Sequence, residues 1–154
     1  MISVVMATLN DERTLGETLG ALIAAAIDGL VREVIVADGG STDHTLAIAD
    51  DAGARILKGD GAASGRIAEG CAMARGEWLL VLDPQAIPAA GWDSAVKDHV
   101  REHADRAAWW SGKPRGLAFW RAPEPQGLLI SRRLYDQAGL SPRGARRLKF
   151  GKGR

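Results

Sequence analysis

One apolar run that stops at an acid and two glycines constrains the fold of this chain more than any other feature. Residues 34–36 read Val-Ile-Val, a continuous apolar run expected of a strand that helices cover on both faces. Asp38 ends the strand, and the two glycines after it allow a sharp turn and leave bare backbone that a ligand can approach. The polar residues 41–43 are good N-caps for a following helix. We therefore expect Asp38 at the edge where open α/β sheets bind ligands.

Strand and helix patterns alternate through the first hundred residues. The apolar runs predict strands at 2–7, 33–37, 54–57 and 78–82. Apolar residues at helical spacing predict helices at 13–27, 42–52, 66–75 and 92–103. This alternation predicts an α/β fold with a mostly parallel open sheet, the strand order 3-2-1-4 and helices on both faces. The order reverses between the first and fourth strands, so a ligand crevice should lie among residues 8–12, Asp38 and Asp83.

The last third of the chain gives a weaker pattern and a different charge. Strand candidates lie at 107–110, 117–120 and 126–131, and a short helix is predicted at 132–138. Residues 1–105 carry 8 basic and 17 acidic side chains, whereas residues 106–154 carry 12 basic and 2 acidic ones. We predict one α/β domain at 1–140 and a basic, disordered tail at 141–154. The tail is either a solvated terminus or a peripheral contact with a membrane or an acidic polymer.

Composition excludes several classes of protein. Cys71 is the one cysteine, so neither an intramolecular disulfide nor a cysteine metal cluster can form. No signal peptide or bilayer-spanning run is recognised, and the cytoplasm is the expected location. His99 and His103 share a helix face, a pattern more typical of surface residues than of a metal pair. Neither a Walker motif nor a dinucleotide fingerprint follows a strand, and we expect no specific nucleic-acid partner.

Four segments of the chain carry a family resemblance. They are residues 3–12 (SVVMATLNDE), 33–43 (EVIVADGGSTD), 74–83 (ARGEWLLVLD) and 126–132 (QGLLISR). Together they resemble the family 2 glycosyltransferases with the GT-A fold, and that resemblance implies binding of a nucleoside diphosphate sugar. It implies that Asp38 accepts a hydrogen bond from the uracil imide N–H and that Arg66 faces the diphosphate. The nucleotide-binding residues expected on this basis are Thr8, Leu9, Asn10, Glu12, Asp38, Gly39 and Arg66.

The metal site implied by the resemblance is only partly matched. The family's Asp-x-Asp motif binds a divalent metal that bridges the diphosphate. Asp83 stands at the first position, but Gln85 replaces the second acid, and a neutral amide is a poor ligand for a hard cation. We therefore expect Mg²⁺ or Mn²⁺ to bind weakly at Asp83 or to be absent. Residues 141–147 contain no acid where the family's catalytic base usually lies, so no catalytic residue is assigned.

Two functions remain open at this point. The first is a glycosyltransferase of hexosyltransferase type that binds a nucleotide sugar, with a UDP-sugar favoured, and transfers the sugar to an acceptor not identified by the sequence. The second is a non-catalytic nucleotide-binding or regulatory protein descended from such an enzyme. The missing acids favour the second, and the Asp38 strand end favours nucleotide binding in both. We expect Asp38→Asn to weaken UDP binding by about 1–3 kcal/mol and to leave the fold intact.

Overall fold

The computed structural model describes residues 1–110, 126–140 and 145–148. In chain order the strands are β1 (Ile2–Thr8), β2 (Val31–Asp38), β3 (Arg55–Lys58), β4 (Trp78–Leu82), β5 (Ala108–Trp110), β6 (Gly127–Ser131) and β7 (Arg146–Arg147). The helices are α1 (Glu12–Ile27), α2 (Thr45–Asp51), α3 (Ala63–Met73), α4 (Trp92–Glu102) and α5 (Arg132–Ala138).

The described strands form one sheet in the order β3-β2-β1-β4-β6-β5-β7. The first four pair in parallel, which confirms the predicted order 3-2-1-4 and the GT-A-like α/β fold. β6 then pairs antiparallel with both β4 and β5. The sheet is therefore parallel where helical crossovers join the strands and mixed where the last third of the chain returns to it.

Helices cover both faces of the parallel strands. On one face, strand side chains pack against α1, α2 and α4; this cluster includes Val4, Met6, Val36, Leu80, Leu15, Leu22, Ala49 and Val96. On the other face they pack against α3 and α5; this cluster includes Val5, Ile35, Leu79, Cys71, Leu134 and Tyr135. A fully buried side chain of this kind contributes about 1.5–3 kcal/mol. A register slip would exchange the two faces, so this burial fixes how the strands align.

A glycine allows α3 to rest directly on the sheet. A Cβ atom on Gly70 would lie 2.6 Å from Cγ1 of Val5 and 3.5 Å from Cγ2 of Ile35. The bare backbone at Gly70 therefore lets the helix approach β1 and β2 closely. This packing brings the first turns of α3, and with them Arg66, to the carboxyl ends of these two strands.

The tail predicted as disordered contains a short strand. The backbone N–H of Arg146 donates to the carbonyl of Ala107 at 2.8 Å, and that of Leu148 donates to Trp109 at 2.8 Å. The guanidinium of Arg147 lies 5.4 Å from the centre of the Trp109 ring. These contacts add β7 to the sheet beside β5, so the expectation of disorder does not hold for residues 145–148. The rest of the predicted tail and the strand candidate at 117–120 lie outside the described residues.

His99 departs from its expected position on the surface. It is only 2% exposed, and its Nε2 lies 2.9 Å from the carbonyl oxygen of Arg106. Its ring meets the Trp78 ring edge-on at 5.9 Å. Burial lowers the pKa of His99 because the charged form loses its hydration.

In residues 1–110, 126–140 and 145–148, no helix combines the length and the apolar character that a bilayer crossing requires.

Candidate functional site

A cleft of about 550 Å³ opens where the strand order reverses between β1 and β4. Its walls come from the β1–α1 loop, the first turns of α3, the turn after β4 and the start of β6. The polar side chains that line it belong to Thr8, Asp11, Arg66, Asp83, Gln85 and Gln126. Open α/β sheets bind ligands in such a crevice. It is therefore the candidate ligand site.

Asp38 lies behind the cleft wall and is fully buried. Its Oδ1 accepts hydrogen bonds from the hydroxyls of Thr8 and Ser41, at 2.9 and 2.5 Å. Its Oδ2 accepts from the backbone N–H groups of Gly40 and Ser41, both at 2.8 Å. Burial acts to raise the pKa of Asp38, but these hydrogen bonds outweigh it and hold the pKa below its ordinary value. Each oxygen already accepts two bonds, so the predicted bond to a uracil N–H requires one of them to be exchanged.

Arg66 ties the ends of β1 and β2 together from the cleft wall. Its Nη1 donates to the carbonyls of Thr8 and Ala37, both at 2.7 Å, and its Nε donates to Gly61 at 3.1 Å. Arg66 is 8% exposed, and its Nη2 bonds no residue in the described part of the chain. In the described part of the chain, Nδ1 of His99 is the one side-chain nitrogen or oxygen that lacks both a partner and contact with solvent. Nη2 of Arg66 also lacks a partner, so it must contact solvent. Arg66 thus keeps a pair of N–H donors for a ligand.

The glycine after Asp38 makes room for Arg66. A Cβ atom on Gly39 would lie 2.7 Å from Cζ of Arg66 and 2.8 Å from both of its terminal nitrogens. The bare backbone that the sequence predicts for close approach of a ligand is therefore covered by the protein's own guanidinium. Gly39 shapes the site by admitting Arg66 to it.

Asn10 and Glu12 bond to the loop between β2 and α2. The backbone of Asn10 has φ 56°, and its Oδ1 accepts from the N–H of Thr42 at 2.9 Å. The Asn10 N–H donates to the hydroxyl of Ser41 at 2.9 Å. Glu12 Oε2 accepts from the backbone N–H of His44 at 3.0 Å, and hydrogen bonds from the His44 backbone and ring lower the pKa of Glu12. These side chains fix the loops, so their roles towards a nucleotide stay predictions.

The opposite wall is the turn that holds Asp83, Pro84 and Gln85. Asp83 Oδ1 accepts from the backbone N–H of Gln85 at 2.8 Å, whereas its Oδ2 bonds no described residue. Gln85 Nε2 donates to Oδ1 of Asp11 at 3.3 Å. The carbonyl of Pro84 accepts from the hydroxyl of Thr18 at 2.8 Å, which fixes the turn on α1. This wall therefore has a rigid backbone and polar atoms that remain open to solvent.

These groups do not fit the divalent metal that the resemblance implies. Mg²⁺ and Mn²⁺ require several oxygen ligands, of which carboxylates are the strongest. Here Gln85 occupies the position of the acid that would complete the pair with Asp83, and its side-chain N–H points towards Asp11. Within the described ranges, no three His, Cys, Asp or Glu side chains are grouped to hold a metal ion.

The structure divides the predicted site residues into two groups. Those that line the cleft are Thr8, Leu9, Arg66 and Asp83. Those that lie outside its lining and bond or pack against the protein are Asn10, Glu12, Asp38 and Gly39. Asp11 lines the cleft, as expected of residues 8–12, but it is absent from the predicted nucleotide-binding residues, although it stands between two of them. Its direction depends on the left-handed backbone of Asn10, which the sequence does not display.

A GT-A-like α/β sheet with a ligand cleft at its point of strand reversal defines the class of this protein. Residues 3–143 match the family described as glycosyl transferase family 2, and the chain belongs to that family. This match confirms the resemblance seen in the four sequence segments.

Curated relatives match one part of the chain. Glucosyl-3-phosphoglycerate synthase of Mycolicibacterium paratuberculosis is 48% identical over 56 residues, which are 36% of this chain and 17% of that protein. A TPR repeat-containing protein of Synechococcus elongatus is 46% identical over 61 residues, 38% of this chain and 15% of that protein. The matched segment therefore spans less than a fifth of the length of each of these two relatives.

Solved structures share the fold at low identity. Glucosyl-3-phosphoglycerate synthase of Mycobacterium tuberculosis, in complex with Mg²⁺ and uridine diphosphate, aligns with a TM-score of 0.77 and 20% identity. That alignment covers 100% of this chain and 72% of the other. TarS of S. aureus (residues 1–349) aligns with a TM-score of 0.71 and 20% identity, over 88% of this chain and 48% of the other.

Proposed function

We propose that this chain binds a nucleoside diphosphate sugar, with a UDP-sugar favoured, and transfers the sugar to an acceptor as a hexosyltransferase. The observation that carries the proposal is the cleft at the β1–β4 reversal, where Thr8, Arg66 and Asp83 line one opening. Membership of glycosyl transferase family 2 supports the reaction class. A fold neighbour was solved with UDP-glucose, which supports the choice of base.

In this proposal the two walls of the cleft hold different parts of the donor. The residues that we assign to nucleotide binding are Thr8, Leu9 and Arg66, which line the cleft, and Asn10, Glu12, Asp38 and Gly39, which hold those residues and the neighbouring loops in place. Arg66 supplies its Nη2 to the diphosphate, because a fixed guanidinium forms strong charge-assisted hydrogen bonds with phosphate oxygens. The Oδ2 atom of Asp83 accepts a hydrogen bond from a hydroxyl group of the sugar nucleotide. No residue is assigned as the catalytic base.

The charge on the leaving diphosphate must be neutralised during transfer. Among the fold neighbours, glucosyl-3-phosphoglycerate synthase of Mycobacterium tuberculosis was solved in complex with Mn²⁺ and with Mg²⁺. The wall at Asp83 supplies a poor donor set for such an ion, and we propose that a metal binds here weakly or not at all. Arg66 then supplies the positive charge that the diphosphate requires.

The basic C-terminal half suggests a location for the reaction. Arg146 and Arg147 are exposed at the edge of the sheet. We propose that this edge and the residues after it make peripheral contact with an anionic membrane surface or an acidic polymer. The acceptor would then be presented at that surface, and a cytoplasmic location remains our proposal.

A non-catalytic nucleotide-binding or regulatory role is the second candidate. The observation that favours it is the donor set at Asp83 and Gln85, which lacks the second acid. Residues 141–147 also lack an acid.

A nucleotide screen by thermal shift and calorimetry tests the proposal. We expect UDP and UDP-glucose to raise the melting temperature more than ADP or GDP do, in EDTA as well as in Mn²⁺. At a ligand concentration of 100 times Kd, binding adds about 2.7 kcal/mol to the free energy of unfolding. Release of glucose from UDP-glucose distinguishes the two candidates, because binding without turnover favours the non-catalytic one. Failure of every nucleotide to bind would overturn both.

A further inference from the structure

We propose that Gln85 replaces a divalent cation in this cleft, because its own two N–H groups link the carboxylates of Asp83 and Asp11. The inference rests on the proposed function in that it concerns the same cleft. It assigns to Gln85 a positioning role and to Asp11 a place in the site. It also makes the cleft a metal-free site for a nucleoside diphosphate.

The backbone half of the link is built into a fixed turn. The N–H of Gln85 donates to Oδ1 of Asp83 at 2.8 Å, and the N–H of Ala86 donates to the carbonyl of Asp83 at 2.9 Å. The N–H of Asp83 donates to the carbonyl of Gln126 at 2.9 Å, and Thr18 holds the carbonyl of Pro84. The turn therefore cannot rotate its N–H away from Asp83 without breaking several other bonds.

The side-chain half of the link spans the cleft. Gln85 Nε2 lies 3.3 Å from Oδ1 of Asp11, whose Oδ2 accepts from the backbone N–H of Leu9 at 2.9 Å. An acceptor atom of Gln85 in that place would face a carboxylate oxygen, an arrangement that no hydrogen bond supports. The amide therefore presents its donor end, whereas a metal would require its oxygen.

This arrangement serves the purpose that a metal serves for paired acids. Two carboxylates that line one cleft repel each other, and a bridging cation or a bridging pair of donors relieves the repulsion. Gln85 provides the donors and remains neutral. The positive charge for a diphosphate then comes from Arg66 on the opposite wall, whose Nη2 has no partner in the described part of the chain.

The test is a Mn²⁺ titration of the full chain without nucleotide, in which the electron paramagnetic resonance signal of the free ion is measured at each step. We expect the wild type to bind Mn²⁺ weakly and Gln85→Asp to bind it at least about tenfold more tightly, because that change supplies an acid beside Asp83. Gln85→Glu is a second variant that keeps the side-chain length. Gln85 is exposed, so both changes should preserve the fold, but the added carboxylate beside Asp83 and Asp11 should lower the melting temperature slightly in the absence of Mn²⁺.

Two controls make the result specific. Ala63→Asp adds an acid to the same cleft at the start of α3, away from Asp83, and should gain little affinity for Mn²⁺. Asp11→Asn in the Gln85→Asp background should lose part of the gain, because it removes the second carboxylate. The proposal is overturned if the wild type binds Mn²⁺ as tightly as Gln85→Asp, or if Ala63→Asp gains as much.

A parallel titration of the wild type with UDP in EDTA separates this inference from the proposed function. Equal UDP affinity in EDTA and in Mn²⁺ supports a metal-free nucleotide site. UDP affinity that rises tenfold with Mn²⁺ contradicts the inference and leaves the proposed function standing. No UDP binding under either condition, with the Mn²⁺ gain of Gln85→Asp intact, overturns nucleotide binding and the metal-free nucleotide site but retains the bridging role of Gln85.

Discussion

The two walls of the cleft use their polar atoms in opposite ways. On the wall of α3 and β2, Asp38 and Arg66 are buried, and most of their polar atoms bond to the protein itself. On the wall after β4, Asp83 and Gln85 are exposed, and an oxygen of Asp83 bonds no described residue. Polar groups that water cannot reach must be satisfied within the protein. Groups in contact with water can be left to a ligand, so the first wall mainly holds the shape and offers Nη2 of Arg66, whereas the second offers the open oxygen of Asp83.

Removal of Asp38 should give the largest effect, because it breaks the wall that bonds to itself. Asp38→Ala leaves the hydroxyls of Thr8 and Ser41 and the N–H of Gly40 without their acceptor. We expect the free energy of unfolding to fall by about 3–5 kcal/mol, as when one partner of a buried charged network is deleted. Urea denaturation followed by circular dichroism measures this loss. The same reasoning makes Asp38→Asn more disruptive to the fold than the sequence indicates.

The pH dependence of stability provides the control for Asp38. The folded pKa lies below the ordinary value, so the ionised form stabilises the fold at every pH above that ordinary value, near pH 4. This stabilisation is lost as the pH falls through the folded pKa. The wild type should therefore lose more stability than Asp38→Ala does between about pH 5 and pH 2. Parallel acid profiles would show instead that Asp38 carries no such network.

Gly39→Ala should give an intermediate effect by pushing on Arg66. A Cβ atom 2.7 Å from the guanidinium carbon must displace it, and the carbonyls of Thr8 and Ala37 then lose their donor. We expect a loss of about 1–3 kcal/mol, the usual cost of overpacking. Denaturation of Gly39→Ala, of Arg66→Leu and of the double variant measures the coupling free energy between the two positions. If the losses in the free energy of unfolding simply add, the absence of a side chain at Gly39 does not serve to accommodate Arg66.

Asp83→Ala should give the smallest effect on stability, because it acts on the open wall. Its side chain is exposed and accepts one described hydrogen bond, so the free energy of unfolding should change by no more than about 0.5 kcal/mol. The affinity for UDP-glucose should fall by about tenfold, or roughly 1.4 kcal/mol, since a hydroxyl acceptor is lost. Calorimetry of the wild type and the variant at the same pH measures this difference in affinity. A stability loss as large as that of Asp38→Ala would erase the difference between the walls.

The parallel half of the fold was predictable because its signals are local. Each strand is a short apolar run, each helix has its own spacing, and the crossover rule supplies the order 3-2-1-4. The strand at 146–147 was not predictable, since two adjacent arginines show no strand pattern. It forms because the backbone of β5 offers partners at Ala107 and Trp109 and the Trp109 ring receives Arg147.

The candidate site was predictable in place but not in the use of its residues. Strand ends placed Thr8 and Asp83 at the crevice, whereas Asp38, which was expected to line it, lies behind its wall. The sequence gives no sign that the guanidinium of Arg66 lies over Gly39, because that contact joins separate elements. The sequence also does not show the positive φ at Asn10, so Asp11 is missing from the predicted nucleotide-binding residues although it belongs to the predicted crevice at 8–12.

The bonds between residues 10–12 and 41–45 have a consequence for the thermodynamics of association. A free loop samples many conformations, and ordering the backbone of one residue costs about 1–2 kcal/mol. Here Asn10, Asp11 and Glu12 each donate a backbone N–H to the neighbouring loop before any ligand arrives. The entropy loss therefore belongs to folding, and a ligand on this side meets a preorganised surface. Selectivity there depends on a fixed shape rather than on adaptation.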